Sequence, residues 1–184
     1  MGVILKRPQS AWDWLQMRIL YLRAFPAQER KSFRLIRELN RKGKMDVWRV
    51  CRENRFAGLA ITINSEDLIL LDYLAVSPAA RCQGVGSSIL DQLQKIYEGR
   101  DVFLEIESEY EDVPDRAMRQ RRKRFYLRCG LKPMGVMVRL FGVKMELLSW
   151  GRKISYQEYL DFYCTNCAPW MDQHINEEKY PERV

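Results

Sequence analysis

The chain has 184 residues, 47% hydrophobic and 30% charged, which suits one domain with a full core and sets aside a disordered chain. No apolar run approaches the roughly 20 residues that span a bilayer, the longest being the strand-sized Leu68, Ile69, Leu70 and Leu71, so no membrane association is expected. The 31 Lys and Arg against 24 Asp and Glu give a formal net charge of +7, and the excess is concentrated between Arg116 and Arg128.

Residues 1–8 carry Lys6 and Arg7 but no following apolar stretch with a small-residue cleavage site, so no secretory signal and a cytoplasmic location are expected. Residues 3–6 read as a short strand. Ser10 reads as the N-cap of a helix over 11–24 that includes Trp14, Ile19, Leu20 and Leu22, and Pro26 ends it. A second helix over about 28–40 has the stripe Phe33, Ile36 and Leu39, closed by Gly43. Strands over 45–51 and 56–63 flank the turn Glu53, Asn54 and Arg55. The nearly all-apolar strand 68–76 implies burial on both faces at the centre of a sheet. A helix over about 84–97 lines one face with Val85, Ile89, Leu90, Leu93 and Ile96, and Gly99 stops it.

Beyond it, residues 102–107 read as a strand and about 116–129 as a helix closed by Gly130. Strands near 135–141 and 143–148 and a last helix over about 155–164 complete the order. This order predicts a mixed α/β sheet with helices on both sides, and a right-handed parallel crossover between strands 68–76 and 102–107. The cysteines Cys51, Cys82, Cys129, Cys164 and Cys167 are odd in number and follow no signal, which implies reduced thiols. Only Cys164 and Cys167 are closely spaced; a single such pair, with His174 downstream, is a poor zinc pattern, and no metal is expected.

The basic run of Arg116, Arg119, Arg121, Arg122, Lys123, Arg124 and Arg128 admits three readings. It could track nucleic-acid phosphate, form a solvated helix face, or meet the phosphates of a nucleotide-containing cofactor. Phe125 and Tyr126 interrupt the run, which favours the solvated face and argues against a nucleic-acid partner.

The chemistry is concentrated where the strand ending at Val76 gives way to the helix entered through Gly84 and Gly86. Glycines there permit unusual backbone torsions and leave the amides uncovered, and such amides at a helix start form an anion site suited to pyrophosphate. Ser87 and Ser88 add hydroxyl donors. A Walker loop is excluded because no Lys-Ser/Thr follows the final glycine. A dinucleotide fingerprint is excluded because Ile89 stands where its third glycine belongs and residues 77–83 intervene between strand and glycine.

Arg81, Gly84 and Gly86 resemble motif A of the GNAT acetyltransferases, (Gln/Arg)-x-x-Gly-x-(Gly/Ala), and Leu74, Val76 and Pro78 resemble the family's strand end L-x-V-x-P. Tyr126, Gly130 and Lys132 resemble the "LYxxxGFK" that ends its fourth helix. The resemblance covers about residues 3–148 of one GNAT domain over 1–184, with 150–184 as a helical extension. It implies a central, mostly antiparallel sheet with a splayed parallel strand pair and helices on both faces. It also implies transfer of an acetyl group from acetyl-CoA to a primary amine of a small molecule or protein, directly in a ternary complex; a monomer or homodimer is expected. The cofactor residues so implied are Leu74, Ala75, Val76, Arg81, Cys82, Gln83, Gly84, Val85, Gly86, Ser87 and Ser88. Relatives carry Asn seven residues before the tyrosine and Ala four before it; Arg119 and Arg122 stand there in this chain, so the Asn contact to pantetheine does not carry over.

Direct transfer agrees with the residues present: the only histidine is His174, so a Ser-His or Cys-His pair has no base in the core. The resemblance implies that Tyr126 is the general acid that protonates the departing thiolate. For a base, strand period places Glu105 and Glu107 on one face with Phe103. Glu105 is read either as that base or as a salt-bridge partner of the arginine-rich helix, and Glu107 lies nearer the strand end. A non-catalytic acyl-CoA-binding regulatory module is the alternative; Tyr126 with a carboxylate on the neighbouring strand favours the enzyme.

Overall fold

A computed structural model describes residues 2–181. They divide into one unit of residues 2–64 and 70–98 and a second of 65–69 and 99–181.

In the first unit the strands β1 (Val3–Lys6), β2 (Met45–Arg52), β3 (Arg55–Asn64) and β4 (Leu68–Val76) lie in that order, β1 to β3 pairing antiparallel. Helix α1 (Ala11–Ala24) begins in a capping box, in which the Ser10 hydroxyl accepts from the Asp13 amide and the Asp13 carboxylate accepts from the Ser10 amide. It buries Met17, Leu20 and Tyr21, whereas Ile19 and Leu22, expected among its apolar residues, face solvent. Helix α2 (Phe33–Arg41) starts later than the sequence suggests. The Ser32 hydroxyl caps it by accepting from Leu35, and Ala27–Glu29 forms a separate 3-10 turn after Pro26.

Helix α3 (Val85–Ile96) buries Val85, Ile89, Leu90 and Leu93. Ile96 does not join that face as expected. Tyr97 takes the inward place, with its hydroxyl donating to Asp46 at 2.7 Å and lying 2.7 Å from Thr62 Oγ1. Gln92 ties the helix to the edge strand, accepting from the Leu5 amide at 3.2 Å and donating to the Val3 carbonyl at 2.8 Å.

The second unit holds β5 (Asp101–Glu107), β6 (Lys132–Leu140), β7 (Val143–Ser149) and β8 (Ile175–Glu178), in the antiparallel order β5-β7-β6-β8. The first residues of β4 belong to this unit, where β4 and β5 set off side by side and the Asp101 amide donates to the Asp67 carbonyl at 2.9 Å. Helix α5 (Tyr156–Asn166) starts in a second capping box, Ser155 with Glu158, and packs Tyr159 and Phe162 edge-on against Phe103. Strand β6 begins earlier than expected, because its register shifts between Pro133 and Met137 and breaks the alternation there. Strand β8 was not anticipated: Ile175, Asn176, Glu177 and Glu178 form a polar edge strand with no apolar alternation. The mixed α/β class read from the sequence is the observed one, with the pairs β1-β2, β2-β3, β5-β7, β6-β7 and β6-β8 antiparallel.

Candidate active site

In the first unit, β4 runs out at Val76 and the Ser77 amide donates to the Ala57 carbonyl at 2.8 Å. A 3-10 turn, Pro78–Ala80, follows; then Cys82 and Gly84 both take left-handed backbone, at φ 59° and 73°. Gly84 is the N-cap of α3, and a Cβ there would meet nothing within 4 Å, so torsion and not space calls for glycine. No side chain caps the helix and no acid lies in its first turn. The first helical bond is Ser88 N to Gly84 O at 3.0 Å, so the Val85 and Gly86 amides precede the intrahelical ladder. Uncapped amides and the positive end of the helix dipole act together on an anion.

The side chains around this start are cationic or neutral. Arg81 Nε donates to the Val76 carbonyl at 3.3 Å, Gln83 donates to the Ala79 carbonyl at 2.9 Å, and Arg52 donates to Gln83. Leu74, Val76, Gly86, Ser87 and Ser88 are half-buried, Ala75 and Val85 are buried, and Cys82 is exposed. This donor set fits the pyrophosphate of CoA. Sequence reading missed Gly58 on β3, where a Cβ would fall 2.5 Å from the Ala75 carbonyl oxygen. A glycine inside an apolar strand is the available signal for such close backbone approach.

In the second unit, helix α4 (Arg116–Arg128) sets Arg119, Lys123 and Tyr126 on one face at helical spacing. Arg119 is buried and donates to Asp115 at 3.1 Å, to Glu111 at 3.3 Å and to the Ser108 carbonyl at 3.1 Å, with Glu107 at 3.6 Å. Lys123, also buried, lies 2.7 Å from Glu109 and 2.8 Å from Glu146, a fully buried residue of β7 that accepts from Tyr180 at 2.5 Å. Burial pulls the Lys123 ammonium down, but its bonds to Glu109 and Glu146 more than reverse this and hold it charged. The expected solvated face is therefore corrected at two positions, Arg119 and Lys123. Arg121, Arg124 and Arg128 face solvent, while Arg119 and Lys123 turn inward because carboxylates wait for them.

Tyr126 is half-buried beside Phe125, ring centroids 5.1 Å apart, and its phenol bonds to no described residue. Burial pushes its hydroxyl up to about 12, against the opposing charge of Arg122. Glu105 Oε1 accepts from the Tyr159 hydroxyl at 2.6 Å and from that of Tyr163 at 2.8 Å, both on α5. The salt bridge weighed for Glu105 falls on Glu107, which meets Arg119 and Arg122. Glu105 and Tyr126 are not joined by a hydrogen bond. Tyr159 and Tyr163 escaped the sequence reading because they lie in the extension; their spacing of four on a Ser-capped helix was the only sign.

In the first unit, then, an uncapped helix start follows a buried strand. The family model described as "Acetyltransferase (GNAT) domain" matches residues 44–133. The Bacillus subtilis (strain 168) protein named "Putative acetyltransferase YjbC" is 30% identical over 141 residues, which span 73% of this chain and 69% of that protein. The chain belongs to the GNAT acetyltransferase family. Its fold is that of a Bacteroides thetaiotaomicron GNAT-family structure, with TM-score 0.72 at 20% identity, covering 90% of this chain and 95% of the other. It is also that of Arabidopsis thaliana NAA60, solved with acetyl-CoA, with TM-score 0.61 at 15% identity, covering 80% and 97%.

Proposed function

We propose that the protein is a cytoplasmic N-acetyltransferase that uses acetyl-CoA and acts in a ternary complex on a primary amine of a small molecule or protein. The observation that carries this reading is the start of α3, where Gly84 in left-handed backbone opens an uncapped helix with no acid in its first turn. The amides of Val85 and Gly86, with the hydroxyls of Ser87 and Ser88, hold the pyrophosphate, while Arg81, Cys82 and Gln83 form the approach to it. Backbone groups at Leu74, Ala75 and Val76 hold the acyl arm. Bound acetyl-CoA supplies an acyl group already activated as a thioester.

The remaining chemistry is proton management. Tyr126, with a hydroxyl pushed up to about 12, keeps its proton at neutral pH and is the donor for a thiolate. Glu105 is the proton acceptor for the amine, and the two α5 phenols on Oε1 fix its rotamer. Purified protein is tested with acetyl-CoA against polyamines, aminoglycosides, amino acids and peptides while free thiol is followed. Amine-dependent thiol release is expected; saturable acetyl-CoA binding without release for any amine would instead define a binding module.

A further inference from the structure

Helix α1 carries more apolar surface than its unit buries. Met17, Leu20 and Tyr21 go inward, yet Trp12 remains 62% exposed and Ile19 42%. Beside this face lies a hollow of about 410 Å³, within the size range of small-molecule sites. Its apolar wall includes Trp12, Ile19, Leu20 and Phe56, and its charged groups are Arg23 and Arg81, with no acid in the lining. Arg23 is exposed and pairs with no carboxylate among the described residues, and Arg81 commits only Nε, to the Val76 carbonyl. Such a site repels a cation. A neutral ligand would leave both guanidinium groups unused.

We propose that this hollow binds one amphipathic monoanion, an aryl or medium-chain carboxylate, with its tail against Trp12, Ile19, Leu20 and Phe56 and its head on Arg23 and Arg81. Apolar burial and charge-assisted bonds to guanidinium are both needed, so chain and charge are recognised together. Arg81 also stands at the approach to the cofactor site proposed above, so the two sites adjoin, and the competition of octanoate with CoA separates this proposal from that reading.

The test titrates the full chain with octanoate and 4-phenylbutyrate, each beside its uncharged primary amide, by calorimetry. Saturable one-to-one binding of the acids is expected, with the amides about tenfold weaker or more, because each amide forfeits bonds to charged groups. Arg23→Gln should weaken the acids about tenfold, leave the amides unchanged and keep the melting temperature, since Arg23 is exposed. Ala24→Trp, which fills the hollow, should abolish binding of both; if that variant fails to fold, the Arg23→Gln comparison decides alone. Equal binding of acid and amide, no effect of Arg23→Gln, or no saturable binding would each overturn the proposal. So would displacement of octanoate by CoA, which would make the hollow part of the cofactor cleft, or its occlusion by self-association at Trp12.

Discussion

The acid role proposed for Tyr126 needs a hydroxyl that still holds its proton at working pH, and burial pushes it up to about 12. Tyr126→Phe keeps the ring against Phe125 and removes only the donor. Steady-state kinetics with an accepted amine should show kcat down about a hundredfold or more, with acetyl-CoA binding nearly unchanged by titration. The same group has a stability signature. Its folded value, about 12, lies above the ordinary 10.0, so its contribution is complete below pH 10 and is lost as pH rises through 12. Tyr126→Phe should therefore lose stability less steeply than the parent between those values, read as melting temperature against pH.

Lys123 bears on the same helix face. Lys123→Met leaves Glu146 buried with only Tyr180, and chemical denaturation should show a loss of about 3–5 kcal/mol. The motif made Tyr126 visible in the sequence, but the inward turn of Lys123 was not. A lysine among arginines looks solvated, and its deepest partner, Glu146, stands on a strand 23 residues later.

Among the elements, the strand, loop and helix from β4 to α3 were the most readable, because each junction is marked by a residue with few alternatives: Pro78 after the strand, Gly84 at the cap. Gly86→Glu adds bulk and negative charge at this helix start. It should remove the thermal stabilisation by CoA, which is about 2.7 kcal/mol at a hundredfold excess over Kd. A shift equal to the parent's would place the ligand elsewhere. Gly58→Ala acts from the neighbouring strand: a methyl cannot sit 2.5 Å from a backbone oxygen, so the Ala75 carbonyl must move. A loss of about 1–3 kcal/mol is expected by denaturation, together with weaker acetyl-CoA binding. The pairing of Glu105 with Tyr159 and Tyr163 was unreadable for a different reason. Its partners are 54 and 58 residues away, and a tyrosine on a packed helix face looks like core.

At the scale of the whole molecule, the charge of +7 attracts a polyanionic cosubstrate over distances longer than any one contact. Raising ionic strength should lower kcat/KM for acetyl-CoA more than it lowers kcat, since screening acts on encounter. Strand β8 has a consequence of another kind. It covers the β6 edge with Asn176, Glu177 and Glu178, and Glu178 is held by Arg139 at 2.6 Å. Charge on an outermost strand discourages a neighbouring molecule from adding its own. A chain stopped after His174 would bare the ladder of Met137, Val138 and Leu140 and deprive Glu146 of Tyr180. It would then have a template for edge-to-edge stacking into oligomers, and light scattering should rise with protein concentration where the longer chain stays clear.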